Sequence, residues 1–396
     1  MKPQHYILVI MIGMICCGIP GTYAVETGNP VAMILKSGDD PFWNQVRAGT
    51  EDASLKLNVS VGILTPGIPD HSGEMTVLAF DALNESPSVL VFAPSDSSAF
   101  NPVLVAADED GIPVFLLESP LPDEMVTGYV GSDNEAIGVR AADDLASMLN
   151  EEGSVVIISQ NPKNPASLLR TESFTKQMDT KYPGMDLAVF SQDTDVDLAL
   201  SIESLFADYP EIRGVFSTDG DSTRALGEVL KERDLNSSVA AVGVNGGDEA
   251  KEFVINGILQ EVIAEDPYAM GYTAVETVHA FIQGEDVNPD TIINVTVFTS
   301  DVPFPASDSS SATTTPKVTP TPAPTAEGTD SAPSTYEQRL QAAAEGYDFE
   351  SMTQQTAQSH YSSSSRAASM LSSGGSSSGR SGHWCPTCGG HLVWVP

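Results

Sequence analysis

The residues best suited to chemistry stand together early in the chain, in Ser37-Gly38-Asp39-Asp40-Pro41-Phe42-Trp43-Asn44. Two carboxylates can accept hydrogen bonds from hydroxyl groups, and two adjacent rings can stack on an apolar face. A sugar or polyol asks for that combination. The apolar run Val31–Leu35 just before it reads as a buried parallel strand. Pro41 suits the first turn of a helix, with Asp40 before it as the cap. In an open α/β sheet, the loop leaving the carboxyl end of the first strand lies at the ligand crevice. Phe42 and Trp43 equally fit the core face of an amphipathic helix, and Asp39 fits a cap or a solvated position. The loop does not decide between these readings by itself.

The elements that would position this loop extend to about Thr299. Strands are expected at Val31–Leu35, Val59–Leu64, Val89–Phe92, Pro113–Leu117, Val126–Gly131, Val155–Ser159, Leu187–Phe190, Gly214–Ser217, Val239–Val244 and Gln260–Ala264. Between them lie helical patterns such as Asn134–Asn150, where Ile137, Val139, Ala142, Leu145 and Leu149 recur at helical spacing. Repeated βα alternation means parallel sheets wrapped by helices. The span fits two doubly wound α/β lobes better than one ten-stranded sheet.

Composition narrows the function classes. The chain has 396 residues, 54 acidic against 18 basic, and a formal net charge of −36. Such an excess repels nucleic-acid phosphates and argues against a nucleic-acid partner. Residues 306–396 hold seven acidic and four basic residues, so the excess lies in the part before them. At the N-terminus, Lys2, the apolar stretch Tyr6–Ile19 and Gly21-Thr22-Tyr23-Ala24 have the order of a secretory signal peptide, residues 1–24, cleaved after Ala24. An uncleaved anchor, or lipid modification at Cys16 or Cys17, are the alternatives. The next cysteines are Cys385 and Cys388, so the expected globular region needs no disulfide.

After Phe304 the composition changes. Residues 305–382 are rich in Ser, Thr, Pro and Gly and read as a disordered linker, apart from a short helical pattern at Tyr336–Phe349. The last segment, residues 383–396, holds His383-Trp384-Cys385-Pro386-Thr387-Cys388-Gly389-Gly390-His391. Its Cys-x-x-Cys-Gly-Gly resembles half of a zinc ribbon. Cys385, Cys388, His383 and His391 are the candidate zinc ligands; a local disulfide or a partner-completed site are the alternatives. The knuckle is expected to be a small separate unit.

Six motifs in order give a resemblance over residues 30–304. They are Asp39-Asp40-Pro41-Phe42-Trp43, Gly111-Ile112-Pro113-Val114-Phe115 with Leu117-Glu118, Gly131-Ser132-Asp133-Asn134, Arg170-Thr171-Glu172-Ser173-Phe174, Tyr209–Phe216, and Val242-Gly243-Val244-Asn245-Gly246. Together they resemble the periplasmic sugar-binding proteins of ABC transporters, in particular the ribose-binding type. The resemblance implies two lobes, about 30–132 with 266–294 and about 133–265 with 295–304, joined by three crossovers. It also implies a ligand site. Phe42 and Trp43 would stack on the sugar, Asp40 and Glu118 would accept hydroxyl protons, and Arg170 would donate. Asp219, Asn245 and Glu265 fall at further contact positions. For each of these, a capping or solvated role is the alternative.

The same resemblance implies an exported monomer that needs no cofactor for sugar binding. It would deliver a small sugar or polyol to an ABC permease and its ATPase, at the periplasm or outer face of the membrane. A receptor feeding a membrane sensor in signalling or chemotaxis is the alternative. The chain departs from the family in two ways: Ser119 replaces the Arg that often follows the acidic residue, and Ser173 replaces a Gly. Four carboxylates against Arg170 would repel anions and favour a ligand with a cationic group. An enzyme is not expected. No H-E-x-x-H, P-loop or G-x-G-x-x-G is present, residues 30–304 hold no G-x-S-x-G elbow, and His71 and His279 stand isolated.

Overall fold

Short apolar runs become strands and the amphipathic segments between them become helices. The computed structural model describes residues 31–121, 123–191, 197–302 and 304, with the backbone of 383–384 and 391–394. In the first lobe Val31–Ile34 (β1), Val61–Leu64 (β2), Leu90–Phe92 (β3), Val114–Leu117 (β4) and Val126–Gly131 (β5) form a wholly parallel sheet. Helices Pro41–Leu57 (α1), Ser72–Asn84 (α2) and Asn101–Glu109 (α3) connect these strands. The second lobe contains Asn134–Met148 (α4), Ser154–Ser159 (β6), Pro165–Lys181 (α5), Asp186–Ser191 (β7), Leu198–Asp208 (α6), Ile212–Ser217 (β8), Gly220–Glu232 (α7), Ala240–Val244 (β9), Gly247–Ile255 (α8) and Glu261–Ala264 (β10). The chain then returns through Pro267–Ile282 (α9) and Asp290–Ile292 (β11) to the first sheet, and ends in the second with Thr296–Thr299 (β12).

All ten strands expected from the sequence are present. The sheet orders are β11-β5-β4-β3-β1-β2 and, in the second lobe, β12-β10-β9-β8-β6-β7 with a further edge hairpin. The two lobes are therefore doubly wound, and the chain crosses between them three times: after β5, after β10 and between β11 and β12. β12 pairs antiparallel with β10, a departure from a purely parallel sheet. It and β11 were not expected from the sequence. Each is half exposed at a sheet edge, so neither has the continuous apolar run that marks a buried strand.

Each sheet is covered on both faces. In the first lobe α1 and α9 cover one face with Val46, Ala53, Met270 and Val278, while α2 and α3 bury Met75, Leu83 and Leu104 on the other. In the second lobe α4 and α5 bury Ile137, Leu145 and Phe174, opposite α6, α7 and α8 with Ile202, Leu226 and Phe253. Two helix pairs pack at backbone distance. A Cβ at Gly271 would lie 2.0 Å from the Val46 carbonyl, and one at Gly138 2.1 Å from Ser173 Oγ and 2.3 Å from the Arg170 carbonyl. The second contact matters for the site, because α5 carries Arg170.

The linker 305–382 lies outside the described residues, as do residues 1–30 and Cys385 and Cys388. The ends of the C-terminal knuckle do not stand apart as a separate unit but join the second lobe. His383–Trp384 (β13) and His391–Trp394 (β14) form an antiparallel hairpin, and β14 pairs antiparallel with β7. Strand β7 would otherwise be an open edge, and Leu392-Val393-Trp394 is a strand-forming run able to cover it. Among the described residues, no helix is long and apolar enough to cross a membrane.

Candidate ligand-binding site

The carboxyl ends of the two parallel sheets face each other. Contacts across this cleft show that the lobes are closed on one another. Asn161 Nδ2 donates to the Ser95 carbonyl at 3.1 Å, and the Ser97 amide donates to the Lys163 carbonyl at 3.3 Å. Lys163 Nζ lies 3.8 Å from Asp96 Oδ2, and Ser119 Oγ lies 3.5 Å from Asn164 Oδ1.

On the first lobe, the turn after β1 is held by Ser37 Oγ, which accepts from the amides of Asp39 and Asp40 at 3.3 Å each. Asp40 then caps α1, its Oδ1 accepting from the Phe42 and Trp43 amides at 2.8 and 3.2 Å. Its other oxygen is not used by the cap. Phe42 is half-buried, but Trp43 is 8% exposed and belongs to the core of the first lobe. The two rings meet edge to face at 5.2 Å. Lys36 Nζ lies 5.7 Å from the centre of the Trp43 ring, so a cation of the protein already stands near that face. Asp39 is exposed.

Glu118, at the end of β4, is buried in the left-handed conformation with φ 65°. Lys36 Nζ lies 2.5 Å from its Oε2, and Ser119 Oγ donates to the same oxygen at 2.5 Å. Burial would push this carboxyl up, but Lys36 and Arg170, with the two hydrogen bonds, hold it below the ordinary value. Lys36 is one of the residues that sequence reasoning missed. The family's Arg beside the acidic residue is absent, and a lysine from the neighbouring region of the sheet supplies the charge. Its signal was available: a lysine that directly continues an apolar strand run must find a buried partner.

Arg170 is 2% exposed and binds three elements at once. Its Nε donates to Asn134 Oδ1 at 2.7 Å, and its Nη1 to the Thr218 carbonyl at 2.9 Å. Nη2 lies 2.9 Å from Glu265 Oε2, but without hydrogen-bond alignment and without another partner. Burial works against its charge, and Glu265 and Glu118 overcome it, so the guanidinium is held above its ordinary value. Asn245, at φ 60°, donates from Nδ2 to Glu265 Oε2 at 2.6 Å and accepts the Glu265 amide at 2.9 Å. It therefore acts on Glu265, whose Oε1 is buried without a partner. Asp219 caps α7 by accepting the Ser222 amide at 2.8 Å, and its Oδ2 is within 3.3 Å of the Gln160 amide. Of the eight residues expected from the sequence, Asp40, Glu118, Asp219, Asn245 and Glu265 lie just beyond strand ends, Phe42 and Trp43 lie in the first turn of α1 with Trp43 turned mainly to the core, and Arg170 lies in α5.

Three further groups complete the site. Asp70, in the loop after β2, has φ 60°, and its Oδ1 is buried without a hydrogen-bond partner among the described residues. Burial raises its carboxyl above the ordinary value; Lys36 and Asn161 oppose this, while Glu118 and Asp219 add to it. Asp221 is pushed up to about 6 by partial desolvation and by Asp219, Asp40 and Asp70, against the pull of Arg224, although its side chain is 61% exposed. Tyr129, at the floor of the crossover, is held well above its ordinary value by burial and by Glu265 and Glu118. It stays a neutral phenol whose oxygen lies 2.9 Å from the Glu118 carbonyl. Ser95, Ser132 and Ser159, each at the carboxyl end of a strand, also bury hydroxyl oxygens with no partner. His71 is the N-cap of α2, accepting the Glu74 amide at Nδ1, and takes no part in the cleft chemistry.

Among the described residues no three His, Cys, Asp or Glu side chains stand close enough to hold a metal ion. Of the proposed zinc ligands, His383 and His391 sit on adjacent strands out of direct register, facing Leu392 and Trp384 respectively.

Comparison with known proteins agrees with this architecture. Ribose import binding protein RbsB of Haemophilus influenzae is 24% identical over 281 residues, covering 71% of this chain and 94% of that protein. The D-allose-binding periplasmic protein of Escherichia coli is 25% identical over 258 residues, covering 62% of this chain and 82% of its own length. A carbohydrate transporter solute-binding protein from Agrobacterium radiobacter, solved in complex with D-arabinose, superposes with a TM-score of 0.64 at 26% identity. That superposition covers 69% of this chain and 95% of the other. With residues 31–286 also matching the model of the periplasmic binding protein domain, the chain belongs to the periplasmic binding protein family.

Proposed function

We propose that the chain is an exported substrate-binding protein that captures a small sugar or polyol between its lobes and delivers it to an ABC permease and its ATPase. One observation carries this reading. Asp70 Oδ1, Glu265 Oε1 and the hydroxyls of Ser95, Ser132 and Ser159 are buried without partners among the described residues, and they come from both lobes to the mouths of the two sheets. Buried polar groups are normally satisfied, so a set of orphans around one cleft fits a ligand rich in hydroxyl groups. Phe42 offers a half-buried ring for the ligand's apolar face. The named ligands of the relatives, ribose, allose and arabinose, are of that chemistry.

In this reading binding holds the lobes closed, and the closed form is what a permease recognises. The cleft residues bind and release, and none is assigned a catalytic role. The protein works as a monomer and without a cofactor for sugar binding. Residues 1–24 direct export, residues 305–382 tether the C-terminal hairpin, and Cys385, Cys388, His383 and His391 are candidates for zinc.

A thermal-shift screen of the full chain against pentoses, hexoses, polyols and amino sugars tests the proposal. The melting temperature should rise with the concentration of one class, as mass action requires. The absence of any concentration-dependent shift at millimolar ligand would overturn the receptor reading.

A further inference from the structure

We infer that the ligand carries an ammonium group, which Asp70 receives in the negative field to which Asp40 and Asp219 contribute. This rests on the receptor reading and narrows its ligand class. Three of the cleft carboxylates are already matched by basic partners. Glu118 is matched by Lys36 at 2.5 Å, and Glu265 by Arg170 at 2.9 Å. Asp221 is matched by Arg224. Asp40, Asp70 and Asp219 have no basic partner within ion-pair distance among the described residues.

Of these three, Asp40 and Asp219 each use one oxygen as a helix cap and have a defined local function. Asp70 does not. Its φ of 60° is unusual for a residue other than glycine, and its backbone amide is tied to the Lys36 carbonyl at 2.8 Å. The loop therefore fixes the side chain where Oδ1 is buried and unpaired. The groups around it are Lys36 from the end of β1, Glu118 from β4, Asn161 from the loop after β6, and Asp219 from the loop after β8. Lys36 is the single cation in this set, and its ammonium is spent on Glu118 and Ser119. Glu265 Oε1 gives an independent sign of an absent donor: its side chain is wholly buried, yet this oxygen too has no partner.

Unmatched carboxylates facing one cleft need a positive charge when the lobes close over them. No three of them stand close enough to share a metal ion. An organic cation is larger, donates in three directions and reaches carboxylates that are further apart. An amino sugar joins such an ammonium to the hydroxyls that the orphaned serines accept or donate.

The test compares glucosamine, galactosamine and mannosamine with their N-acetyl derivatives and with the parent hexoses, by titration calorimetry on the full chain. At least one amine should bind about tenfold or more tightly than its parent hexose and its acetylated form, the effect of one charge-assisted bond in a closed site. Asp70→Asn should abolish that preference; asparagine tolerates the left-handed conformation, so the loop should be kept. Asp219→Asn, which preserves a cap, is the second variant and should reduce the preference. Equal or tighter binding of a neutral hexose overturns this inference and leaves the receptor reading intact. A preference for amines that survives in both variants overturns the assignment to Asp70. No binding by any sugar overturns both.

Discussion

Replacing Lys36 by Met tests the charge arrangement of the cleft directly. The Lys36 ammonium and the Glu118 carboxylate are 2.5 Å apart, with 5% and 10% of their side chains exposed. At an effective dielectric constant of 20, that separation gives an attraction of about 7 kcal/mol. Most of it offsets the cost of burying the two ions, so the pair as a whole adds little stability. Removing one partner is different, because Glu118 stays buried with only Ser119 and the more distant Arg170 to answer it. The expected loss at pH 7 is about 3–5 kcal/mol, or roughly 6–20 °C in melting temperature for a protein of this size.

The pH dependence gives the sharper test. In the unaltered protein Glu118 is held below its ordinary value of 4.5, so its stabilisation is present above that value and is lost as pH falls through the lowered one. Without Lys36, burial should push the carboxyl above 4.5. The deficit of Lys36→Met should then be small near pH 5 and grow towards pH 8. Urea unfolding at both pH values reads this, and the double variant Lys36→Met/Glu118→Gln should recover more than half of the loss. A deficit below about 1 kcal/mol, or one equal at the two pH values, would refute a buried ion pair at this position.

Further expectations follow from the same geometry. Gly138→Ala places a methyl 2.3 Å from the Arg170 carbonyl, so α5 must shift; it should cost about 1–3 kcal/mol by overpacking and also weaken ligand binding. Both Arg170→Ala and Glu265→Ala should weaken binding by about 2 kcal/mol or more, read by calorimetry, because each leaves the other's charge buried and alone. Glu261 is pushed up to about 7 by burial and by Asp144, against Arg140. A raised carboxyl means that the folded state prefers the protonated form, so stability should fall as pH rises from about 4.5 to 7. Glu261→Gln should remove that slope in a melting-temperature series, an effect on the order of 2 kcal/mol. Truncation after Phe304 should leave ligand affinity unchanged in calorimetry, and light scattering should show more association as the β7 edge is exposed.

Much of the fold was legible because its strands are continuous apolar runs. Val155–Ser159 and Val239–Val244 admit no other buried arrangement once helices flank them, and both are strands in the structure. Edge strands escaped this logic: β11 and β12 are half exposed, and β14 depends on an open neighbour. In the candidate site, motif order and the resemblance pointed to Asp40, Glu118, Arg170, Asp219, Asn245 and Glu265, which the structure places just beyond strand ends or, for Arg170, in α5. What each binds was not legible. Asp40 and Asp219 are helix caps, and Asn245 holds Glu265. Trp43 shows the limit most plainly, since a helix carrying two adjacent aromatics can turn only one fully to the core. Lys36 and Asp70 carry no motif; their roles come from a partner 82 residues away in one case and from a loop conformation in the other.

The same residues that form the cleft also end the strands and start the helices, and this couples binding to folding. Asp40 satisfies amides of α1 with one oxygen, and Asp219 caps α7 in a reciprocal box with Ser222. Such caps contribute about 1 kcal/mol each to their helices. Their substitution by Ala would therefore lower stability and affinity together, and the two effects could not be separated. Asp70 differs, because it caps nothing and its burial disfavours its charge. An acid whose folded value is raised is a destabilising group above its ordinary value near 3.8, fully so once pH exceeds the raised value. Asp70→Asn should therefore raise the melting temperature of the ligand-free protein at pH 7 while weakening capture of a cationic ligand. A residue kept for packing would show the opposite sign, a loss of stability with affinity unchanged. Melting curves and titrations on this one variant thus separate a group held for the ligand from a group held for the fold.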